Sequence, residues 1–343
     1  MYTLKQIPED FIVKERSYVK IADKGKYLYF SLRKKNWNTL DVIQKLAAIF
    51  GVSERKIGFA GSKDKNAVTE QICSVEGLCK ERLQGVKLQD VVLEFLGYGD
   101  LPISLGDLLE NYFEIMIRNL VDEKVEIVSF IENYFDEQRM STNNVAIGRA
   151  LVKKDFATAV TLIDEAMVSK HLEEKKNDFV GALKKIPIRL LRLYVNAYQS
   201  YLWNETLAAY LLSKGEVLKE VNYSLGKFVF VSDSKRFVDL EVPIIGFGSE
   251  EVLVDSIMKK ITDDLMAKEG INYNDFVIKQ IPELTLEGEF RRAFVSVKNM
   301  EIGTFEEDDL NVGKKKVLVT FSLGKGSYAT MVIKRMVGKI NHP

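Results

Sequence analysis

One carboxylate, Asp64, stands where the chain could perform acid–base or nucleophilic chemistry. It lies in the polar turn Gly61-Ser-Lys-Asp-Lys-Asn66, directly after the apolar segment Ile57-Gly-Phe-Ala60. A glycine-containing turn after a strand lets a ligand approach the backbone closely. The flanking lysines, Lys63 and Lys65, would favour the ionised carboxylate if their ammonium groups lie near it. A solvated turn is the commoner meaning of such a pattern, so composition alone does not select Asp64.

Other templates for catalysis and binding fit the sequence less well. The segment Gly58-Phe-Ala-Gly-Ser-Lys63 lacks P-loop spacing, because Asp64 follows the lysine where Ser or Thr is required. Gly324-Lys-Gly-Ser327 could bind an anion at a helix start, but a plain turn explains it as well. With 2 cysteines and 2 histidines in 343 residues, a disulfide framework and a zinc site are both unexpected. We predict no metal and no cofactor.

The elements that would position Asp64 are a strand, a helix and a second pair of strands. Residues 27–33 alternate in β-prone side chains, which predicts a strand with one buried face. Apolar residues at helical spacing then predict a helix that Asn38 or Thr39 caps and Gly51 terminates. Short strands enclose the polar turn on both sides.

The remaining pattern is strand-rich at the ends of the chain and helical in the middle. Strands are predicted over 113–118 and 316–323, and a long helix runs from about residue 190 towards Gly215. Ser327 is the expected cap of a final helix. This arrangement predicts a discontinuous α/β domain that carries an insertion.

Charge is balanced overall but unevenly placed. The 49 Lys+Arg and 49 Asp+Glu give zero net charge, which alone argues against wrapping nucleic acid by bulk electrostatics. Yet residues 13–37 carry eight bases and two acids, and residues 313–343 carry seven bases and no acid. Solvated surface explains either run alone, whereas the two together predict a positive surface near Asp64 for an anionic partner.

The N-terminus indicates the compartment. Charges within Met1–Phe11 occupy the place of a signal peptide's apolar core, and no apolar run approaches the roughly 18 residues that span a bilayer. We therefore expect a cytoplasmic protein with no membrane partner and no obligate protein partner.

Seven segments, in order along the chain, carry a resemblance that is specific because they occur together. They are Lys5–Glu15, Phe59–Gln71, Leu105–Leu108 with Asn111–Ile115, Asn133–Arg139, Ala197–Asn204, Gly288–Ala293 and Phe321–Thr330. In the second, Ala-Gly-Ser-Lys-Asp-Lys-Asn-Ala-Val-Thr-Glu-Gln is similar to the catalytic signature of the TruD family of RNA pseudouridine synthases. The other six resemble further motifs of the same family.

The resemblance implies the fold class α/β (α+β). The expected architecture is a pseudouridine-synthase core with a mixed, largely antiparallel sheet and flanking helices, plus an inserted α/β TruD-specific domain. Residues 1–132 and 292–343 would form the discontinuous core, and residues 133–291 the insertion.

The resemblance also implies the reaction, the isomerisation of uridine 13 of tRNA to pseudouridine without a cofactor. Asp64 would be the catalytic carboxylate, aimed at a base flipped out of its stack. Three routes stay open: addition to C6 of the base, attack on C1′, or removal of the 2′ proton. The partner is tRNA.

Other residues take roles through the same motifs. Lys5 would be the counter-charge of Asp64, Phe113 would stack on the target base, and Asn111 would bond backbone near the site. Core packing is the alternative for Phe113. RNA binding or structural support is expected for the rest, which are Glu9, Phe11, Lys63, Thr69, Gln71, Arg139 and Lys325.

One departure and several alternatives accompany this assignment. Met140-Ser141 stand where the family usually has Phe-Gly; methionine can fill much of a phenylalanine's space, but the local turn loses its glycine.

Two alternative functions stay open. The chain could perform the same chemistry at other tRNA or RNA positions, or it could be a non-catalytic RNA-binding protein on this fold. A two-carboxylate glycosidase is disfavoured, because no second carboxylate is marked as a partner for Asp64.

Overall fold

Runs of strands and runs of helices follow one another along a mixed α+β chain, of which the computed structural model describes residues 2–249 and 255–337. The strands are β1 (Phe11–Arg16), β2 (Tyr27–Lys35), β3 (Ile57–Phe59), β4 (Val68–Glu76), β5 (Val91–Gly99), β6 (Glu110–Leu120), β7 (Phe130–Glu132), β8 (Val217–Tyr223), β9 (Gly226–Val231), β10 (Glu241–Ile244), β11 (Glu289–Arg292), β12 (Phe294–Ile302), β13 (Glu306–Glu307) and β14 (Lys315–Gly324). The helices are α1 (Thr39–Phe50), α2 (Lys80–Gln84), α3 (Thr142–Val152), α4 (Phe156–Leu162), α5 (Ala166–Glu174), α6 (Phe179–Leu183), α7 (Ile188–Lys214), α8 (Ser256–Glu269) and α9 (Ala329–Met336). Within these ranges no helix has both the length and the apolar character needed to cross a membrane.

The described residues divide into two compact units. The first contains residues 2–129, 296–329 and 336–337, and the second contains 130–249, 255–295 and 330–335. The expected boundaries, at 132/133 and 291/292, lie within a few residues of these divisions, but residues 330–335 fall in the second unit.

A mixed sheet dominates the first unit. Its strands lie in the order β5-β2-β4-β1-β6-β14-β12, with β3 paired to β4. The β1–β4 pair is parallel, whereas β2–β4, β2–β5, β1–β6, β6–β14 and β12–β14 are antiparallel. The predicted fold class, a mixed and largely antiparallel sheet with flanking helices, is confirmed.

Strand register brings distant parts of the sequence side by side. Because side chains alternate along a strand, residues paired directly across neighbouring strands point to the same face. One such row runs, strand by strand, through Lys34, Thr69, Val13, Phe113 and Phe321. The sheet therefore places members of the first, second, third and last motifs on one face.

Helix α1 covers part of that face. Its buried residues Val42, Leu46 and Phe50 pack with Phe30 and Leu32 of β2, which share the face of Lys34. The helix ends at Gly51, whose φ of +61° is the left-handed value that glycine adopts most easily. These bounds match the helix expected from the sequence. The last helix differs, because α9 begins at Ala329 and Ser327 is thus too early to be its N-cap.

The second unit is organised around α7, and it accommodates the Met140-Ser141 departure. Met140 is buried and receives a long hydrogen bond from Asn204 of α7, 3.7 Å from Nδ2 to Sδ. Asn204 also holds the backbone N–H and C=O of Phe135, at 3.0 and 2.9 Å. Ser141 adopts φ −23° and ψ 142°, a negative φ that does not require glycine. Methionine occupies a core position, and the turn forms without glycine.

Candidate functional site

The candidate site is a pair of opposite charges at the surface of the first unit. Lys5 Nζ lies 2.5 Å from Asp64 Oδ2, and the two side chains are 18% and 39% exposed. Asp64 belongs to the segment between β3 and β4, so neither strand extends to it. A carboxylate that is both paired and accessible to solvent can meet a substrate without losing its counter-charge.

Lys5 is presented by a short N-terminal segment that is anchored at both ends. Thr3 forms an antiparallel bridge with Arg118, and Asp10 accepts a hydrogen bond from Arg118 Nε at 2.8 Å. Between these anchors the backbone of Lys5 takes a φ of +55°, which costs about 1 kcal/mol for a residue other than glycine. The Lys5 ammonium also lies 4.1 Å from the centroid of the Phe11 ring.

Arg118 of β6 is the centre of this anchor. Its guanidinium is 5% exposed and contacts Asp10, Asp308 and Asp309 at 2.8 to 2.9 Å. Burial alone would raise the pKa of Asp308, but hydrogen bonds from Asn119, Asn311, Leu310 and Arg118 lower it to about 2. The anchor is therefore ionic at neutral pH.

The loop that carries Asp64 is held by side chains bonded to its backbone. Thr39, the first residue of α1, accepts a hydrogen bond from Lys63 N at 3.0 Å through Oγ1. Gln71 of β4 donates from Nε2 to Gly61 O at 3.1 Å. Both Thr39 and Gln71 are buried. The loop geometry is thus set by groups that lie beneath it.

Lys34 of β2 makes the third set of contacts with this loop. Its Nζ donates to the backbone oxygens of Trp37, Lys63 and Asp64 at 2.7, 3.4 and 2.9 Å. The residue is 1% exposed. Burial is the main cause that lowers the pKa of Lys34, to about 8, against the opposing effect of the Asp64 carboxylate.

Lys63 points away from the Asp64 carboxylate and into the protein. Its Nζ lies 2.6 Å from Glu15 Oε2 and donates to Asn111 Oδ1 at 2.8 Å. The Lys63 side chain is 7% exposed and that of Glu15 is fully buried. Lys63 therefore forms a buried ion pair and also contacts the Asn111 side chain. A bond from Asn111 to backbone near the site stays a prediction. Lys65 is exposed.

Phe113 lies in the row of side chains on the same face of the sheet. Its ring is 5.5 Å from that of Phe321 and 6.1 Å from that of Phe11, with the latter pair edge to face. Only 6% of Phe113 is exposed. The structure thus shows aromatic packing around Phe113, and stacking on a base stays a prediction.

The remaining predicted residues of the first unit surround this arrangement. Glu9 pairs with Lys35, and that hydrogen bond is the main reason that the pKa of Glu9 is lowered. Thr69 is fully buried. Lys325 donates to Gly106 O at 3.4 Å and lines a cleft of 750 Å³. Gly106 N in turn donates to Ala60 O at 2.8 Å, so the cleft adjoins the segment that leads to Asp64.

Arg139 belongs to the second unit. Its Nε donates to Ser200 Oγ at 2.9 Å, and its guanidinium carbon lies 5.1 Å from the centroid of the Phe135 ring. With Gln199 and Arg291 it lines a polar pocket of 320 Å³. The RNA contact expected of Arg139 stays a prediction.

Many bases of the two basic runs are paired with acids. The pairs are Lys14–Glu114, Arg16–Glu110, Lys26–Glu76, Lys35–Glu9, Lys315–Glu307, Lys316–Asp309, Lys334–Asp136 and Arg335–Glu132. The last two lie in the second unit. The expected bounds of the core, residues 1–132 and 292–343, stay a prediction. Lys339 lies outside the described residues. A positive surface near Asp64 stays a prediction.

Sequence reasoning missed three of the residues that shape the site: Lys34, Thr39 and Arg118. The sequence predicts Thr39 as a possible helix cap and places Lys34 among the bases of a basic run. A sequence signal exists for Lys34, which continues the alternation Leu28, Phe30, Leu32 onto the buried face. Nothing in the sequence pairs Arg118 with acids 190 residues away.

Comparison with known proteins gives one consistent result. A family model described as tRNA pseudouridine synthase D (TruD) matches residues 2–169 and 161–336. The chain is 27% identical to tRNA pseudouridine synthase D of Aquifex aeolicus, with 97% of each chain covered. It is 29% identical to the probable tRNA pseudouridine synthase D 1 of Methanococcus maripaludis, covering 97% of this chain and 98% of that one. A crystal structure of the putative TruD protein of Methanosarcina mazei superposes with a TM-score of 0.70 at 25% identity, over 97% of this chain and 92% of that chain.

Proposed function

Because the chain belongs to the TruD family of tRNA pseudouridine synthases, we propose that it isomerises uridine 13 of tRNA to pseudouridine, with Asp64 as the catalytic carboxylate. Pseudouridine synthesis is an isomerisation, so the enzyme class is that of an isomerase. The position on the tRNA and the role of Asp64 are the parts that experiment must test.

The reaction explains which groups the site needs. The N1–C1′ bond of uridine breaks, the uracil turns, and a C5–C1′ bond forms, while C5 loses a proton and N1 gains one. Atoms and electrons balance within the nucleotide, so no oxidant, reductant or second substrate takes part. The protein must supply a carboxylate, hold the detached uracil and keep the target base out of its stack.

The observation that carries the proposal is the geometry of Asp64 and Lys5. The carboxylate is 39% exposed, and Lys5 contacts only its Oδ2. Among the described residues no hydrogen bond to Oδ1 is present, which leaves that oxygen for the substrate. Each of the three possible routes requires an ionised carboxylate, and the Lys5 ammonium lies 2.5 Å from Oδ2 as its counter-charge.

The loop contacts support the same proposal. Thr39, Gln71 and Lys34 bond to backbone atoms from Gly61 to Asp64, so the backbone that carries the carboxylate is held before substrate binds. Preorganisation of this kind removes an entropic cost from the reaction itself.

The test is incubation of the purified protein with an unmodified tRNA transcript, followed by mapping of pseudouridine at single-nucleotide resolution. We expect product at position 13, none from a transcript with cytidine at that position, and none from Asp64→Asn. Binding of the transcript to Asp64→Asn should persist, because the change removes one charge and no volume. Product at another position would show that the target is a different nucleotide, and an active Asp64→Asn would refute the assignment of Asp64 as the catalytic carboxylate.

A further inference from the structure

Lys34 is an unusual residue for the place it occupies. It is 1% exposed, and its ammonium is surrounded by the backbone oxygens of Trp37, Lys63 and Asp64. Carbonyl oxygens carry only partial charge, so they compensate the loss of hydration less fully than a carboxylate would. A buried ammonium held in this way costs stability, and an apolar side chain of the same length would not incur that cost.

The contacts of Lys34 converge on the segment that carries Asp64. Two of its three acceptors are consecutive residues, Lys63 and Asp64, and the third, Trp37, precedes α1. The bond to Asp64 O, at 2.9 Å, fixes the backbone of the residue whose side chain faces Lys5. Lys34 therefore approaches Asp64 from inside the protein, while Lys5 approaches it at the surface.

We propose that Lys34 is a positioning residue for the reaction, which sets the backbone of the Asp64 loop and hence the place of the carboxylate against the target base. This inference rests on the proposed function. Lys34 contacts neither the Asp64 carboxylate nor solvent, so it acts through the loop.

The protonation state of Lys34 decides how many of these bonds can form. An ammonium has three N–H donors for the three carbonyls, whereas a neutral amine has two donors and a lone pair that faces an acceptor. The charged groups close to Lys34 oppose each other, since the Asp64 carboxylate raises its pKa and the Lys63 ammonium lowers it. Loss of the proton therefore weakens the hold on the loop.

The first experiment compares Lys34→Met with Lys56→Met in the full chain. Lys56 is the matched control because it is an exposed lysine of the same unit whose Nζ lies 3.5 Å from Glu76. We expect Lys34→Met to lower the single-turnover rate of pseudouridine formation about 100-fold, the usual cost of a misplaced reacting group, with tRNA affinity retained. Lys56→Met should change neither.

The second experiment reads the loop directly. Hydrogen–deuterium exchange of a peptide that covers residues 60–66 should be faster in Lys34→Met than in the wild type, and unchanged in Lys56→Met. This measurement needs no substrate, so it tests the hold on the loop whether or not the proposed reaction occurs.

The third experiment is a pH profile, in which activity and stability should diverge. Burial lowers the pKa of Lys34 from 10.5 to about 8, so the folded protein loses this proton first. Between pH 8 and pH 10.5 the side chain is neutral in the folded protein and protonated in the unfolded chain, so unfolding takes up a proton. The contribution of Lys34 to the free energy of unfolding therefore rises with pH in this interval. Activity should fall above pH 8 over the same interval, and this fall should be absent from the residual activity of Lys34→Met.

The outcomes of these experiments distinguish the proposed function from the positioning role of Lys34. Wild-type protein without activity on any tRNA position would overturn the proposed function. An active wild type with an equally active Lys34→Met, or with unchanged loop exchange, would overturn the positioning role alone. If Lys34→Met does not fold, the three experiments use Lys34→Gln instead, which replaces the ammonium by a shorter, neutral amide.

Discussion

The two halves of the Lys5–Asp64 pair are supported by different physical means. The segment that carries Lys5 is fastened by an ionic cluster, in which Arg118 contacts Asp10, Asp308 and Asp309. The loop that carries Asp64 is fastened by hydrogen bonds between buried side chains and its backbone: Lys34 and Gln71 donate to carbonyl oxygens, and Thr39 accepts from the Lys63 N–H. The first support is a cluster of four full charges, whereas the second joins one buried ammonium and two neutral side chains to backbone atoms. Each partner of the pair can therefore be disturbed without the other.

Removal of the ionic centre should have the largest effect. Arg118→Met leaves the buried carboxylates of Asp10 and Asp308 without their cation, which typically costs 3–5 kcal/mol of folding free energy. Urea unfolding measures this loss. Arg16→Met is the control, because Arg16 forms an exposed pair with Glu110 and such pairs contribute at most about 1 kcal/mol. Equal losses in the two variants would show that the buried cluster stabilises the fold no more than an exposed ion pair does.

Removal of Lys5 should affect the reaction more than the fold. Lys5→Met keeps the aliphatic stem near Phe11 but removes the charge that orients Asp64 Oδ2, so we expect about a 100-fold lower single-turnover rate. The change in folding free energy should stay within about 1 kcal/mol, because the Asp64 end of the pair is well exposed. A normal single-turnover rate in Lys5→Met would show that the reaction does not require the Lys5 ammonium.

Acid should weaken the support of Lys5. Asp308 has a folded pKa of about 2 against an ordinary value of 3.8, so its contribution to stability is complete above pH 3.8 and is lost as pH falls towards 2. The size of this contribution is about 2 kcal/mol. Stability measured from pH 6 to pH 2 should fall less steeply in Asp308→Asn than in the wild type, because that variant takes up one proton fewer on unfolding. Parallel curves would contradict the depressed pKa.

Sequence reasoning reached the elements and the candidate residues but not the supports between them. The alternation in β2, the period of α1 and the stop at Gly51 follow local rules, and each was predicted from neighbouring residues. The row from Lys34 to Phe321 depends on strand order and register, which no local pattern encodes. Burial of Lys63 was likewise not indicated, because a lysine in a polar turn usually lies at the surface. Burial of Lys34 was indicated only by the alternation of β2.

The smallest effect is expected from the loss of one hydroxyl group that bonds to the backbone of the Asp64 loop. Thr39→Val keeps the shape of the side chain but leaves the Lys63 N–H without its acceptor, which should cost about 1 kcal/mol. Thr161→Val is the control, since the Thr161 hydroxyl is exposed and bonds only to Ala157 O within its own helix. If the bond from Lys63 N to Thr39 Oγ1 helps to hold the Asp64 loop, Thr39→Val should lower the single-turnover rate although its effect on melting temperature is small. Thr161→Val should leave the rate unchanged. A loss of stability with an unchanged rate would mean that Lys34 and Gln71 alone fix the loop.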